Sequence, residues 1–109
     1  MASSKVFHVD DMRKWAELSR TGNVIADFYA TWCGPCKAFG PIFEAASAQE
    51  QTIKFIKVNV DSEGMAELTN SVASVPTVRA YKNGVIVTEF AGANPTKLMQ
   101  MIETLKISK

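Results

Sequence analysis

Trp32-Cys33-Gly34-Pro35-Cys36-Lys37 holds the only two cysteines of the 109-residue chain, three positions apart. Three chemistries suit such a pair. A fixed crosslink over so short a loop stabilises a fold by only about 2 kcal/mol. A zinc site needs four N or S ligands, and the one further soft candidate, His8, falls on a different predicted strand. The third is redox exchange, the expected use of C-x-x-C beside a βαβ pattern. A helix that begins within the motif puts Cys33 and Cys36 on one face. Their Cα atoms then lie roughly 5–6 Å apart, within disulfide range, and the pair opens and closes with little backbone movement. The attacking species is the thiolate, which free N–H groups and the positive end of the following helix favour at Cys33. Gly34 and Pro35 place no charge between the sulfurs, which suits a reductant better than an oxidase or isomerase.

The flanking elements must present this pair. Residues 24–30 form an apolar, β-rich run that reads as a central strand covered on both faces. Asp27 lies within it, and an acid between Ala26 and Phe28 is costly to bury in charged form, so its pKa should rise; a carboxylate that reaches solvent is the alternative. A helix is expected from about Cys36 to Glu50, with Phe39, Ile42, Phe43 and Ala46 facing inward. Pro41 interrupts it and should kink it, and Gly40 weakens it by up to about 1 kcal/mol relative to Ala.

Upstream, residues 5–9 alternate weakly as a first strand, with His8 a strand residue of no catalytic role. Asp10 is the expected N-cap of a helix, spaced by Met12, Trp15, Ala16 and Leu18 and ended at Thr21-Gly22-Asn23; Trp15 reads as a packing residue. Downstream, residues 53–61 make a third strand, in which Lys57 either snorkels outward or partners Asp27. A short helix over residues 65–70 leads to Val75-Pro76. Residues 77–82 and 85–90 flank Asn83-Gly84, a strong hairpin signal. Arg79 in the first of these reads as an alkyl stem along the sheet with its head at the rim. Asn94-Pro95 caps and starts a last helix, with Leu98, Met101, Ile102 and Leu105 on its buried stripe. The order β-α-β-α-β-α-β-β-α implies a parallel part, an antiparallel hairpin and helices on both faces of a mixed sheet.

Composition narrows the function classes. Hydrophobic residues make up 47% and charged ones 21%, the balance of a globular protein, and the length suits one domain over residues 1–109. A net charge of +1 gives no case for nucleic acid or an anionic membrane as partner. No apolar run approaches the ~20 residues of a membrane span. The first eight residues show no hydrophobic signal core. A cytoplasmic, reducing setting is the expectation, in which the pair is kept mainly as catalytic thiols.

The motif, Asp27 six residues upstream of it, residues 55–61, Val75-Pro76-Thr77, Lys82-Asn83-Gly84 and Phe90-Ala91-Gly92-Ala93-Asn94 together resemble the thioredoxin family over nearly the whole chain. The resemblance implies an α/β thioredoxin fold, a five-stranded mixed sheet of order 1-3-2-4-5 flanked by four helices. It implies a protein-disulfide reductase in which Cys33 attacks, Cys36 resolves, Asp27 serves proton transfer to Cys36, and Lys57 partners Asp27. Gly34, Pro35 and a cis Pro76 would support the pair. Trp32, Gly34, Pro35, Val75, Gly92 and Ala93 would line a shallow apolar groove for clients, with the Val75 backbone pairing with an extended substrate. Asp61 matches the family acid that contacts the tryptophan. The family binds no cofactor or metal on this chain and is re-reduced by a flavin- and NADPH-dependent thioredoxin reductase. Its clients include peroxiredoxins, methionine sulfoxide reductases and ribonucleotide reductase. No third cysteine exists for thiol-based dimerisation. A binding subunit using the same groove without turnover is the alternative from another class, although a scaffold needs neither the cysteine pair nor Asp27.

Overall fold

The computed structural model describes residues 5–107; residues 1–4, the start of the segment read for a signal core, lie outside them. The elements run β1 (Val6–His8), α1 (Met12–Ser19), β2 (Asn23–Tyr29), α2 (Gly34–Gln49), β3 (Ile53–Asn59), a 3-10 turn (Glu63–Met65) leading into α3 (Ala66–Thr69), β4 (Thr77–Lys82), β5 (Val85–Ala91) and α4 (Pro95–Ile107). The five strands lie in the order β1-β3-β2-β4-β5. β3 is parallel to both β1 and β2, whereas β4 is antiparallel to β2 and β5. The expected mixed sheet with four helices is therefore the observed one.

Local chemistry explains most element ends. Asn83 and Gly84, at φ 51° and 85°, give the double positive φ of a tight hairpin turn, which Asn and Gly adopt at little cost. Asn94 caps α4 by accepting from the Lys97 N–H at 3.0 Å, and Pro95 opens the helix where no backbone donor is needed. The cap of α1 is Asp11 and not Asp10: the Asp11 carboxylate accepts from the Lys14 N–H at 2.8 Å. Two adjacent aspartates compete there, and Asp11, extended at φ −142° immediately before the first helical residue, is the one whose side chain reaches back over the first turn. Likewise α2 begins two residues earlier than expected, because the Cys33 sulfur itself acts as the capping acceptor and Pro35 fits the first turn.

The sheet carries a core on each face. On one, Phe39, Phe43 and Ala46 of α2 and Leu98, Met101, Ile102 and Leu105 of α4 pack on Ile25, Phe55, Val78 and Ala80. On the other, Trp15 packs against Phe28 and Tyr81 within a cluster that includes Val24, Ile56, Val58 and Met65. Each fully buried side chain of this kind contributes about 1.5–3 kcal/mol. Ile42 departs from the expected inward set: it is 38% exposed. Phe39, Phe43 and Ala46 take the i, i+4, i+7 stripe that faces the sheet, and Ile42 falls beside it in a groove with Pro95 and Met99.

Gly40 is buried in α2, where a methyl group would meet the Lys57 ammonium at an ordinary 3.7 Å. Its backbone is not in the left-handed region, so nothing local requires glycine. Gly40→Ala is expected to raise stability by roughly 0.5–1 kcal/mol, read as a higher urea midpoint with an unchanged slope.

Candidate active site

β2 ends at Tyr29 and α2 starts at Gly34, so the intervening turn sets the cysteines at the carboxyl end of a central strand and the amino end of a long helix. Cys33 and Cys36 form a disulfide with their Cα atoms 5.3 Å apart. The Cys36 N–H donates to Cys33 Sγ at 3.2 Å. That sulfur sits at the positive end of α2, where backbone donors favour a negative charge. Both cysteines are buried, at 5% and 3% exposure. Burial alone therefore hardly separates them; position does. Cys33 caps the helix beside the 72–75 segment, with its sulfur 3.8 Å from the Val75 carbonyl oxygen, and Cys36 lies inside the first turn.

Asp27 is fully buried. Strand alternation puts it on the same face as Ile25, beneath α2. Among the described residues neither carboxylate oxygen has a hydrogen-bond partner. Desolvation pushes its pKa from 3.8 up to about 7, opposed by the positive charge of Lys57. Lys57 is the register partner of Asp27 on β3, yet no hydrogen bond or close ion pair joins the two. Its ammonium lies 4.3 Å from the centre of the Tyr29 ring, a cation–π contact. Lys57 thus acts on Asp27 through space.

Trp32 is 69% exposed, open to an incoming client and not packed into the core. Its indole N–H donates to Asp61 Oδ2 at 2.9 Å, pinning the ring beside the motif. Asp61 lies past the end of β3, not within it, where its own N–H donates to Asn59 Oδ1 at 2.9 Å and turns the chain. The Val75–Pro76 peptide bond is cis. Gly92, at φ 98°, donates its N–H to the Pro76 carbonyl at 2.8 Å, which brings Gly92 and Ala93 alongside.

A groove of about 380 Å³ runs between Trp32, Val60, Val72, Ala73, Ser74 and Val75. Trp32 and Val75 were expected in it. Gly34, Pro35, Gly92 and Ala93 were expected too, but they are not among its lining residues; Val60, at the end of the third strand, and Val72, Ala73 and Ser74, in the run of small and β-branched residues before Pro76, take their place.

A thioredoxin family model matches residues 6–104. The chain belongs to the thioredoxin family. It is 41% identical to thioredoxin of Ictalurus punctatus over 106 residues, covering 93% of this chain and 99% of that one. The solved thioredoxin of Plasmodium falciparum superposes with a TM-score of 0.82 at 37% identity, covering 90% of this chain and 97% of that chain. A chain from a structure describing thiol resolution in yeast mitochondrial 1-Cys peroxiredoxin via glutathione/thioredoxin systems superposes at 0.83 with 28% identity, covering 94% and 100%. With the cysteine pair at disulfide distance, this thioredoxin is a thiol–disulfide oxidoreductase acting on disulfide-bearing proteins. Among the described residues no helix is long and apolar enough to cross a membrane.

Proposed function

We propose that this thioredoxin is a general protein-disulfide reductase in which Cys33 is the nucleophile, Cys36 the resolving thiol, and Asp27 the group that takes the Cys36 proton. The observation that carries this reading is the Cys36 N–H aimed at Cys33 Sγ at the start of α2, beside an apolar groove. The Cys33 thiolate attacks one sulfur of a client disulfide, whose S–S bond breaks and whose other sulfur leaves as a thiolate and takes a proton. Cys36 gives its proton to Asp27 and attacks Cys33 Sγ, breaking the mixed disulfide. The second client sulfur departs reduced. Two electrons have moved to the client, and the chain holds the Cys33–Cys36 disulfide.

Proton transfer needs a carboxyl that is ionised for part of the time at neutral pH but not strongly acidic. A pKa of about 7 meets that need, and Lys57 keeps it from climbing further. Trp32 and Val75 bind an extended client segment in the groove, with Asp61 holding the Trp32 ring. A flavin- and NADPH-dependent thioredoxin reductase returns the electrons in the cytosol. Clients are peroxiredoxins, methionine sulfoxide reductases and ribonucleotide reductase; the structural likeness to a chain of a peroxiredoxin-resolving system favours the first.

In an insulin precipitation assay with dithiothreitol, the protein is expected to accelerate the reaction well beyond dithiothreitol alone. No acceleration would leave a binding subunit without turnover. Trp32→Ala is expected to raise KM for insulin roughly tenfold, since a large exposed aromatic at a binding surface carries about 1–2 kcal/mol or more, while its circular-dichroism spectrum stays that of the parent.

A further inference from the structure

One wall of the groove, residues 72–75, belongs to no helix or strand. Its place is fixed from below by two residues on one face of β4. Thr77 Oγ1 donates to the Ser74 carbonyl at 2.6 Å. Arg79 donates through Nη1 to Ser71 Oγ and through Nη2 to the Ser71 carbonyl, each at 3.0 Å. The two contacts grip the two ends of the 71–74 segment.

Arg79 is an unusual residue for that place. It was expected to carry its head to the rim of the sheet, but it is 4% exposed. Its guanidinium lies 5.1 Å from the centre of the Phe28 ring, and its Nε is 3.5 Å from a carboxylate oxygen of Glu89, itself half exposed. The same charge opposes the burial that raises the pKa of Tyr81. A buried cation costs several kcal/mol in desolvation, and a well-packed aliphatic residue would serve core stability as well or better. What an aliphatic residue cannot do is hold two oxygens of one serine in a planar fork.

We propose that Arg79 is a positioning residue for client binding: its guanidinium holds the 71–74 segment where residues 72–75 form the wall that an extended client meets. This rests on the groove reading above. Arg79 touches neither sulfur nor client and acts through Ser71. Its removal lets the wall drift while leaving the cysteines, held by β2 and α2, in place.

The test compares client affinity with the intrinsic reactivity of Cys33. Loss of two hydrogen bonds from a charged donor in Arg79→Met is expected to raise KM for insulin about tenfold, with kcat held within a factor of about two. Alkylation of reduced Cys33 by iodoacetamide should keep its rate and its pH profile. Arg79→Lys, which offers a point charge in place of a fork, should recover only part of the loss. Ser71→Ala removes one of the two Arg79 contacts, together with the hydroxyl's own bond to the Leu68 carbonyl, without disturbing the core; it should raise KM two- to threefold and decides the matter if Arg79→Met does not fold. Unchanged KM in both Arg79→Met and Ser71→Ala, or a KM rise matched by an equal fall in alkylation rate, would overturn the proposal. Trp32→Ala, measured alongside, separates the two readings. An unchanged KM there would sink the groove itself, whereas a raised KM there with no effect at Arg79 and Ser71 would sink only the positioning role.

Discussion

Cys33→Ser is expected to abolish disulfide reduction, a fall of at least about 10³-fold, the scale usual when a nucleophile is removed. A serine hydroxyl at the same site meets the same Cys36 N–H and the same helix end. Neither can ionise it near neutral pH, and an alkoxide does not exchange with disulfides as a thiolate does. Cys36→Ser is the informative companion. Turnover should also fail, but after the first half-reaction, so one equivalent of client stays bound through Cys33 and shifts on a non-reducing gel. The readouts are insulin reduction for both variants and covalent capture for the second. Capture by Cys33→Ser and not by Cys36→Ser would reverse the roles of the two thiols, and turnover at the parental rate in Cys33→Ser would take Cys33 out of the reaction altogether.

The largest stability effect is expected at Asp27. Its carboxyl ionises near pH 7 in the folded chain and near 3.8 when unfolded. Between those values the native state binds the extra proton, so stability falls as pH rises through the window and levels off above about pH 8. With the carboxyl fully ionised, the penalty is on the order of 4 kcal/mol, a large part of the 5–15 kcal/mol that usually separates folded from unfolded chains. Asp27→Asn keeps the shape and removes the titration. Its stability relative to the parent should improve by roughly 4 kcal/mol between pH 4 and pH 8.5, measured by urea unfolding of the oxidised proteins. A difference that does not change with pH would mean that the carboxyl ionises in the folded chain where it does in the unfolded one, so that burial does not raise its pKa. The same variant should slow the Cys36 step if Asp27 accepts its proton as proposed, while alkylation of Cys33 is less affected.

These two results separate what is local from what is not. The Cys33–Cys36 spacing fixes the 5.3 Å Cα separation, because one helical turn sets it wherever the segment lies. Asn83-Gly84 fixes a hairpin for the same reason: the turn needs two residues that accept positive φ. The stripe of α4 is legible because four buried residues at helical spacing leave little else for that face to do. Asp10 and Asp11, or the start of α2, are decided at the scale of one hydrogen bond, below what pattern resolves.

By itself, the sequence determined the chemistry: two thiols one turn apart after an apolar strand holding an acid, in a chain with no other cysteine. It also determined the alternation of elements that builds the sheet. Only the tertiary structure decided that Asp27 has no hydrogen-bond partner among the described residues while Lys57 leans on Tyr29, that Ile42 faces outward, and that the groove wall is residues 72–75. It alone placed the Arg79 guanidinium beneath that wall. Each of these depends on which strands become neighbours and how far a side chain must reach between them, and a linear order of residues carries neither distance.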